Sequence, residues 1–382
     1  MLGAPSPRIQ PALEKPANRS TTLLELLASP SPEPAALRHA LRCLPGAEVP
    51  RLLERIRLHR IDGLAHRVLS RLPRGAADPW LRSTLKRRHQ RIAAATLSQA
   101  LALAELLDAF RSARVPVVVM RGLRCVEAVY GDAGARPFDD HDLLIPRASV
   151  GSAHAVLERQ GFRERARGLY RRGGVLVDLH TDALGARRRP TRLAAFPVWT
   201  EVLLARAVPG VVAGAPASIL PLEDELLLLA IHVVKHSFDR LIRVADLAHL
   251  IASRASSIDW EALRRRCEAT RTDKLLGWAL EAAALLGAPS PPELRAEGGA
   301  GRLERALMRR ALAWRPVPYT GEILMALAIP SRARRLAFLL DALVPGGEVP
   351  DGLRRRTAFV SGRTVALMRD GVRHIASRGG GR

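Results

Sequence analysis

Residues 136–145 read RPFDDHDLLI, so three aspartates lie directly before or within a short apolar run. The end of this run, Leu143-Leu144-Ile145, predicts a buried strand. Because successive side chains of a strand point to opposite faces, Asp140 and Asp142 are expected to project together. Neighbouring carboxylates repel each other and aspartate is uncommon in strands, so the pair favours a bound divalent cation. An acidic turn that merely precedes a strand is the alternative.

Two further segments predict strands that would accompany this one. Residues 115–120 read VPVVVM, and residues 175–180 read VLVDLH after a glycine-containing hairpin turn. In the second segment Asp178 and His180 share a face. If that strand lies beside the aspartate strand, three carboxylates converge, and such an oxygen-rich set suits Mg²⁺. A pair of these ions would stabilise an in-line displacement at phosphorus.

Arg121 and Gly122 directly follow the first predicted strand. A glycine at this position lets backbone N–H groups approach a phosphate closely, and the start of a following helix favours anions. Arg121 would add a positive charge. A glycine needed only for packing is the alternative interpretation.

The remaining patterns predict a chain organised around one small sheet. Prolines punctuate residues 1–33, which we expect to form a disordered tail, and residues 378–382 are expected to form a disordered end. Apolar residues recur at helical spacing in residues 34–113 and 201–377. Residues 114–200 carry the predicted strands. The expected fold class is α+β, with a small mixed-sheet core between N-terminal and C-terminal helical regions.

The charge balance restricts the kind of partner. The 382 residues carry a formal net charge of +23, and all but four of the 60 basic residues are arginines. Such a charge fits a polyanionic ligand such as a nucleoside triphosphate, and it also admits nucleic acid. Aromatic residues make up only 4%, so stacking platforms for single-stranded nucleic acid are scarce.

Other classes of protein are disfavoured by the same sequence. Residues 1–22 lack the apolar core of a signal peptide, and no uninterrupted apolar run approaches the length of a membrane span. Cys43, Cys125 and Cys267 are far apart and predict neither a disulfide framework nor a zinc pair. We therefore expect a cytoplasmic protein without a membrane span.

Taken in order, four motifs resemble the polymerase-β-like nucleotidyltransferase superfamily, and within it a bacterial family of uncharacterised nucleotidyltransferases. The motifs are Met120-Arg121-Gly122, Tyr130-Gly131-Asp132, residues 136–145 and Val177-Asp178-Leu179-His180. The resemblance covers most of residues 50–345. It implies a nucleotidyltransferase core and a Mg²⁺-dependent transfer of a nucleoside monophosphate from a nucleoside triphosphate to a hydroxyl. Two ions are implied, and Mn²⁺ is the alternative metal.

The resemblance also implies roles for individual residues. Asp140, Asp142 and Asp178 match the metal-binding and catalytic carboxylates, the last of which helps to activate the attacking hydroxyl. The residues that match nucleotide contacts are Arg121, Gly122, Arg136 and His232. The chain departs from the superfamily pattern in several places. Leu123 follows Gly122 where glycine or serine is usual, and the gap from Gly122 to Asp140 is longer than usual. His141 replaces an apolar residue, Asp139 replaces a small residue, and Arg121 replaces a lysine.

His232 and His236 lie one helical turn apart and could form a zinc pair. The glutamate of an HExxH motif does not follow His232, however, so a helix face that lines a cleft is the preferred interpretation.

The acceptor stays open on the sequence: a small molecule, a peptide, a protein or an RNA would each supply a hydroxyl. One alternative function is a toxin-like nucleotidyltransferase that modifies tRNA, for which the basic composition would be useful. Another is a non-catalytic module of the same fold that binds a nucleotide or a partner protein.

Overall fold

The computed structural model describes residues 19–185, 190–291, 294–295, 301–314 and 319–343. Within them the chain forms a mixed sheet of seven strands in the order β3-β4-β5-β2-β1-β7-β6. Strands β2 and β5 are parallel neighbours, as are β1 and β7, and the other pairs are antiparallel. The strands are β1 (Val118–Val119), β2 (His141–Leu144), β3 (Arg163–Ala166), β4 (Leu169–Arg172), β5 (Val175–His180), β6 (Val208–Val212) and β7 (Ala215–Ile219).

Helices precede, interrupt and follow the strands along the chain. Those before the sheet are α1 (Arg19–Ala28), α2 (Pro34–Arg42), α3 (Val49–Leu58), α4 (Asp62–Ser70) and α5 (Pro79–Ser112). Those between strands are α6 (Leu123–Cys125), which a π-helical turn extends to Tyr130, α7 (Val150–Arg159), α8 (Pro190–Ala195) and α9 (Thr200–Arg206). Those after the sheet are α10 (Leu222–Lys235), α11 (Leu241–Arg254), α12 (Trp260–Thr270), α13 (Asp273–Ala284), α14 (Arg302–Leu312), α15 (Thr320–Ala328) and α16 (Arg332–Leu343).

The start of α5 shows how the sequence sets one of these boundaries. The Asp78 side chain accepts a hydrogen bond from the Leu81 amide at 2.9 Å, and Pro79 occupies the first helical position. A side-chain cap and a proline at this position both favour helix initiation. Helical spacing was expected throughout residues 34–113, and the last part of that range forms this one long helix.

Successive side chains of β2 point alternately into two different hydrophobic cores. Leu143 and Ile145 are buried in a core with Phe110 of α5 and Val156 of α7. Leu144 is buried in a second core, to which α10 and α11 contribute most of their apolar residues. Since side chains two residues apart share a face, the even-numbered positions of this strand face the C-terminal helices. The expected α+β class, with helices flanking a mixed sheet, is confirmed.

The N-terminal boundary differs from the expected disordered tail over residues 1–33. Helix α1 occupies part of that range, and its Leu23, Leu24 and Leu27 are fully buried. They belong to the core that also contains α4 and α11, so tertiary packing stabilises a helix too short to form alone. Residues 1–18 lie outside the described residues, as does the expected disordered end at 378–382.

Two further differences concern the C-terminal region. The sheet does not end near residue 200, because the hairpin of β6 and β7 adds two strands beside β1. The long apolar pattern at 323–343 forms two helices, α15 and α16, and Pro330 lies between them. Proline cannot continue a helix without losing a backbone hydrogen bond, which explains the break.

Among the described residues, one helix is long and apolar enough over part of its length to cross a membrane, namely α5. This is weak evidence for a span, because core helices of globular proteins meet the same criteria. Leu103, Leu106 and Phe110 near its C-terminal end are buried in the core against the sheet.

Candidate active site

Three carboxylates come together at the sheet. Asp142 of β2 and Asp178 of β5 are direct partners in the parallel register, so their side chains lie side by side on one face. Asp140 precedes Asp142 by two residues and therefore projects toward the same side. Burial, followed by the charges of Asp142 and Asp178, raises the pKa of Asp140 to about 6. The positive charges near these three carboxylates therefore do not fully offset their mutual repulsion.

Arg121 offsets part of that charge. It follows Met120, the residue after β1, whose backbone N–H donates to the Asp142 carbonyl oxygen at 3.0 Å. The Arg121 guanidinium donates to both carboxylate oxygens of Asp142, from Nη2 at 2.7 Å and from Nε at 3.1 Å. Burial alone would raise the pKa of Asp142, but Arg121 and His180 hold it well below its usual range. Asp142 is therefore an ionised carboxylate.

His180 completes the group of polar side chains on this face. Its Nε2 lies 2.7 Å from Asp142 Oδ1 and 3.4 Å from Asp178 Oδ2. Ligand atoms of Asp142, Asp178 and His180 all lie within 4.8 Å of one another, which is compatible with one shared metal ion. A divalent cation fits this donor set, since carboxylate oxygens and an imidazole nitrogen are both common metal ligands.

Gly122 lies where the chain turns sharply after β1. Its φ of 52° and ψ of −121° belong to a region that is essentially restricted to glycine. A Cβ atom added here would lie 3.0 Å from the Asp140 carbonyl oxygen, so the turn brings the backbone against the aspartate segment. The backbone conformation at this position therefore requires glycine. The predicted contact of Gly122 with a phosphate stays a prediction.

A cavity of about 520 Å³ opens in front of the carboxylates. This volume lies within the usual range for small-molecule sites. Asp140, Asp142 and Asp178 line one side. Besides Arg121, Arg136 and Arg167, five cationic residues line the cavity. They are Arg60 before α4, Arg192 of α8, Lys235 of α10, and Arg240 and Arg243 at the start of α11.

Several of these cations are already paired with acids. Arg60 donates to Asp139, and Arg243 donates to Asp239. Arg192 donates to Glu322 of α15. The positive charge of the wall is thus partly compensated inside the protein. The cations that lack a carboxylate partner in the described part of the chain are the ones that matter for a ligand.

Lys235 is such a cation. No carboxylate of the described residues lies within ion-pair distance of its ammonium group, and burial, followed by the charge of Arg121, lowers its pKa to about 8. Arg240 lacks a carboxylate partner in the same set of residues. Neither residue was predicted from the sequence to belong to the site. The available signal was that Lys235 lies three residues after His232 on an apolar helix, and hence on nearly the same helix face.

His232 lies in the cavity wall between two arginines. Its Nδ1 is 3.2 Å from Arg121 Nη1, and Arg243 Nε lies 3.2 Å from its Nε2. Burial and then the charge of Arg121 lower its pKa well below the ordinary value, so the ring is neutral. Since both ring nitrogens face guanidinium groups, the arrangement disfavours a zinc pair with His236. His232 lines the cavity, as the prediction of a nucleotide contact requires, but that contact stays a prediction.

Arg136 is placed differently from the other predicted nucleotide-binding residues. Its guanidinium is buried and donates to both carboxylate oxygens of Asp246 on α11, at 2.8 and 2.9 Å. Tyr130 also donates to Asp246, at 2.8 Å. Although Arg136 lines the cavity, its hydrogen bonds go to Asp246, and it links the aspartate loop to the C-terminal helices.

Asp142 and Asp178 lie on adjacent strands and Asp140 lies just before one of them, in a cavity that basic residues also line. This arrangement is expected of an enzyme that transfers phosphorus-containing groups. The family model of the uncharacterised nucleotidyltransferases matches residues 45–287, and the chain belongs to this family. The resemblance inferred from the motifs is thereby confirmed, and the protein is a transferase of the nucleotidyltransferase class.

A comparison with curated proteins gives no match. Among solved structures, the chain is similar to the antibiotic-resistance factor ANT(2'')-Ia, studied as a solution structure. The two are 18% identical with a TM-score of 0.28, and the match covers 49% of this chain and 93% of that one. A similarity at this level carries no argument about the site.

Proposed function

We propose that the protein transfers a nucleoside monophosphate from a nucleoside triphosphate to a hydroxyl of an acceptor, with a divalent metal as cofactor. The observation that carries the proposal is the pairing of Asp142 with Asp178 on adjacent parallel strands, in front of a cavity lined by cations that have no carboxylate partner among the described residues. Carboxylates would hold the metal, and the cations would hold the phosphates. A nucleoside triphosphate bound with a metal ion needs both the carboxylates and the cations.

Asp140, Asp142 and Asp178 are the residues that would hold the metal. Their mutual repulsion, expressed in the raised pKa of Asp140, would be relieved by a divalent cation. Mg²⁺, or two such ions, would neutralise charge on the triphosphate and polarise the reacting phosphate.

The protein's own residues would bind and orient the reactants. Lys235 and Arg240 are available for the phosphate oxygens, because neither has a carboxylate partner among the described residues. The acceptor oxygen would form a bond to the α-phosphorus as the bond to the bridging α–β oxygen breaks, and pyrophosphate would leave. Asp178 would accept the proton of the hydroxyl.

One observation favours a polyanionic acceptor, as in the tRNA-modifying alternative. Strand β3 is an exposed edge of the sheet, and its Arg163 lies directly opposite Arg171 of β4. Like charges in such positions destabilise a sheet unless an anion compensates them. Arg167, at the end of the same hairpin, lines the cavity. The end of a nucleic acid is therefore the second candidate acceptor.

We also propose that the protein acts in the cytoplasm.

A thermal-shift panel tests the donor site. Each of the four nucleoside triphosphates is added with and without Mg²⁺ to the wild type and to Asp142→Asn and Asp178→Asn. A ligand at about 100 times its dissociation constant stabilises the folded state by about 2.7 kcal/mol. We expect a Mg²⁺-dependent shift in the wild type that both variants lose. Asp108→Asn, on the exposed surface of α5, is the matched control and should keep the shift.

The outcomes separate the candidates. A shift followed by transfer of label from an α-labelled triphosphate to an acceptor would support the enzyme. A shift without transfer to any small-molecule, peptide, protein or RNA acceptor would favour the non-catalytic module. Absence of a shift with every triphosphate would contradict the proposed donor site.

A further inference from the structure

His180 lies at the end of β5, two residues after Asp178 and on the same face of the sheet. It is a partly buried side chain directed at the carboxylates, with its Nε2 in contact with both Asp142 and Asp178. The roles proposed above account for the three aspartates and leave this imidazole without one.

The distances between these groups match those of ligands that share one ion. An octahedral divalent ion holds its ligand atoms at about 2.0–2.2 Å, so neighbouring ligand atoms lie about 3 Å apart. His180 Nε2 lies 2.7 Å from Asp142 Oδ1 and 3.4 Å from Asp178 Oδ2. The ligand atoms of Asp142, Asp178 and His180 are therefore already spaced as ligands of one ion would be.

We propose that His180 is a direct ligand of the metal ion that Asp142 and Asp178 hold, and that its nitrogen makes this site prefer Mn²⁺ to Mg²⁺. The inference rests on the metal part of the proposed function. Mg²⁺ is a hard ion that strongly favours oxygen ligands. Imidazole binds transition metals more readily, while a carboxylate-rich octahedral set still suits Mn²⁺. Two carboxylates and one imidazole are therefore a better set for Mn²⁺.

Metal binding requires two rearrangements of this chain's own groups. Asp142 is ionised and can only accept, so His180 Nε2 carries the proton in their hydrogen bond. When Nε2 becomes a ligand, the proton on it must leave for solvent, because the lone pair of that nitrogen then binds the ion. The guanidinium of Arg121, which contacts both oxygens of Asp142, must also release at least one of them.

Pulsed electron paramagnetic resonance of Mn²⁺ bound to the full-length protein tests the ligand directly. An imidazole nitrogen bonded to Mn²⁺ modulates the electron spin echo, and the modulation changes when the protein is made with ¹⁵N-labelled histidine. We expect this nitrogen modulation in the wild-type protein. It should disappear in His180→Asn and persist in His154→Asn, a control histidine on α7 that contacts Tyr170.

Titration of Mn²⁺ and competition with Mg²⁺ test the preference. Loss of a ligand should weaken Mn²⁺ binding at least about tenfold in His180→Asn and His180→Gln. Mg²⁺ binding should change much less, so the selectivity for Mn²⁺ falls. Equal weakening of both ions would mean that His180 only positions Asp142, and it would overturn the inference.

These results are distinct from a failure of the proposed function. A wild-type protein that binds Mn²⁺ without nitrogen modulation, but still gains metal-dependent stability from a triphosphate, would refute the role of His180 alone. A protein with the nitrogen signal that no triphosphate stabilises would refute the donor site and leave His180 as a ligand.

Discussion

Arg121 donates hydrogen bonds to both carboxylate oxygens of Asp142, at 2.7 and 3.1 Å. The guanidinium supplies positive charge at the carboxylate that a metal would otherwise bind. Removing one member of a buried ion pair typically costs about 3–5 kcal/mol, and we expect about 2–3 kcal/mol for Arg121→Gln because the pair is not fully buried. Saturating Mn²⁺ should restore more stability to this variant than to the wild type, as measured by urea unfolding.

A matched control for this prediction is Arg124→Gln. Arg124 pairs with Glu225 at 2.7 Å with similar exposure, away from the three aspartates. Its loss of stability should not be reversed by metal. If the metal rescued both variants equally, Arg121 would have no special relationship to the metal site.

Asp140→Asn should stabilise the metal-free protein while abolishing metal-dependent nucleotide binding. Since the folded-state pKa is raised from 3.8 to about 6, ionisation of Asp140 costs stability as the pH rises through this range, and the full cost applies above it. The gain at about pH 7.5 is on the order of 1–3 kcal/mol, at about 1.4 kcal/mol per pKa unit. Urea unfolding in a chelator measures it. A less stable variant would contradict the crowded-carboxylate interpretation.

Gly122→Ala and Gly131→Ala should differ although both glycines have positive φ. Gly131, at φ 59° and ψ 21°, lies in the left-handed helical region with open space around it, so alanine should cost about 1 kcal/mol. Gly122 adopts a conformation that alanine rarely reaches, and a new Cβ would press on the Asp140 carbonyl oxygen. We expect a larger loss and weaker triphosphate stabilisation for Gly122→Ala. Equal effects in thermal unfolding would contradict this.

Arg136→Gln and Asp246→Asn should each destabilise the protein by about 3 kcal/mol, because each leaves the other charge buried without its partner. In a double-mutant cycle measured by urea unfolding, the coupling should be about 1–3 kcal/mol. Additive effects would argue against the pair. If Arg136→Gln weakened triphosphate binding while Asp246→Asn did not, the predicted phosphate contact of Arg136 would regain support.

His59 should make the protein sensitive to acid. Burial, followed by the charge of Arg55, lowers its pKa to about 4, and its Nδ1 accepts from the Leu241 amide at 3.3 Å. The unfolded chain then takes up a proton near pH 6.5 while the folded protein does not, so stability is lost as the pH falls from about 6.5 to 4.

At about pH 5 the contribution of His59 is a loss of about 2 kcal/mol relative to neutral pH. Urea unfolding at about pH 7.5 and pH 5 measures it. His59→Gln should flatten the dependence by that amount, whereas His39→Gln on the exposed side of α2 should leave it unchanged. An unaltered slope in His59→Gln would rule out this residue as the source.

Local patterns were sufficient to predict the centre of the fold. The apolar runs gave β1, β2 and β5, and the glycine turn before Val175 gave the hairpin with β4. The strands β6 and β7 were not predicted, because Pro209, Gly210 and Pro216 interrupt them, and proline is tolerated only at special positions of a sheet. The full extent of α1 was not predicted, because its stability comes from the core rather than from its own sequence.

The same limit applies to the candidate site. The aspartates could be grouped because strand alternation is a local rule, and the parallel register then brings Asp142 beside Asp178. The basic wall could not be derived, since it depends on which face of α10 meets the sheet. Arg136 illustrates the difficulty: it is close in sequence to the aspartates, but its partner Asp246 lies 110 residues further along the chain.

The alternation along β2 also constrains how this chain can change in length. Leu143 faces the core with α5, and Asp142 faces the cavity. Inserting or deleting one residue within 140–145 would exchange these faces and place carboxylates among leucines. The turn at Ala213-Gly214, next to the edge strand β6, carries no such penalty. Over evolutionary time, gaps and insertions should therefore accumulate at that turn and be eliminated from the aspartate strand.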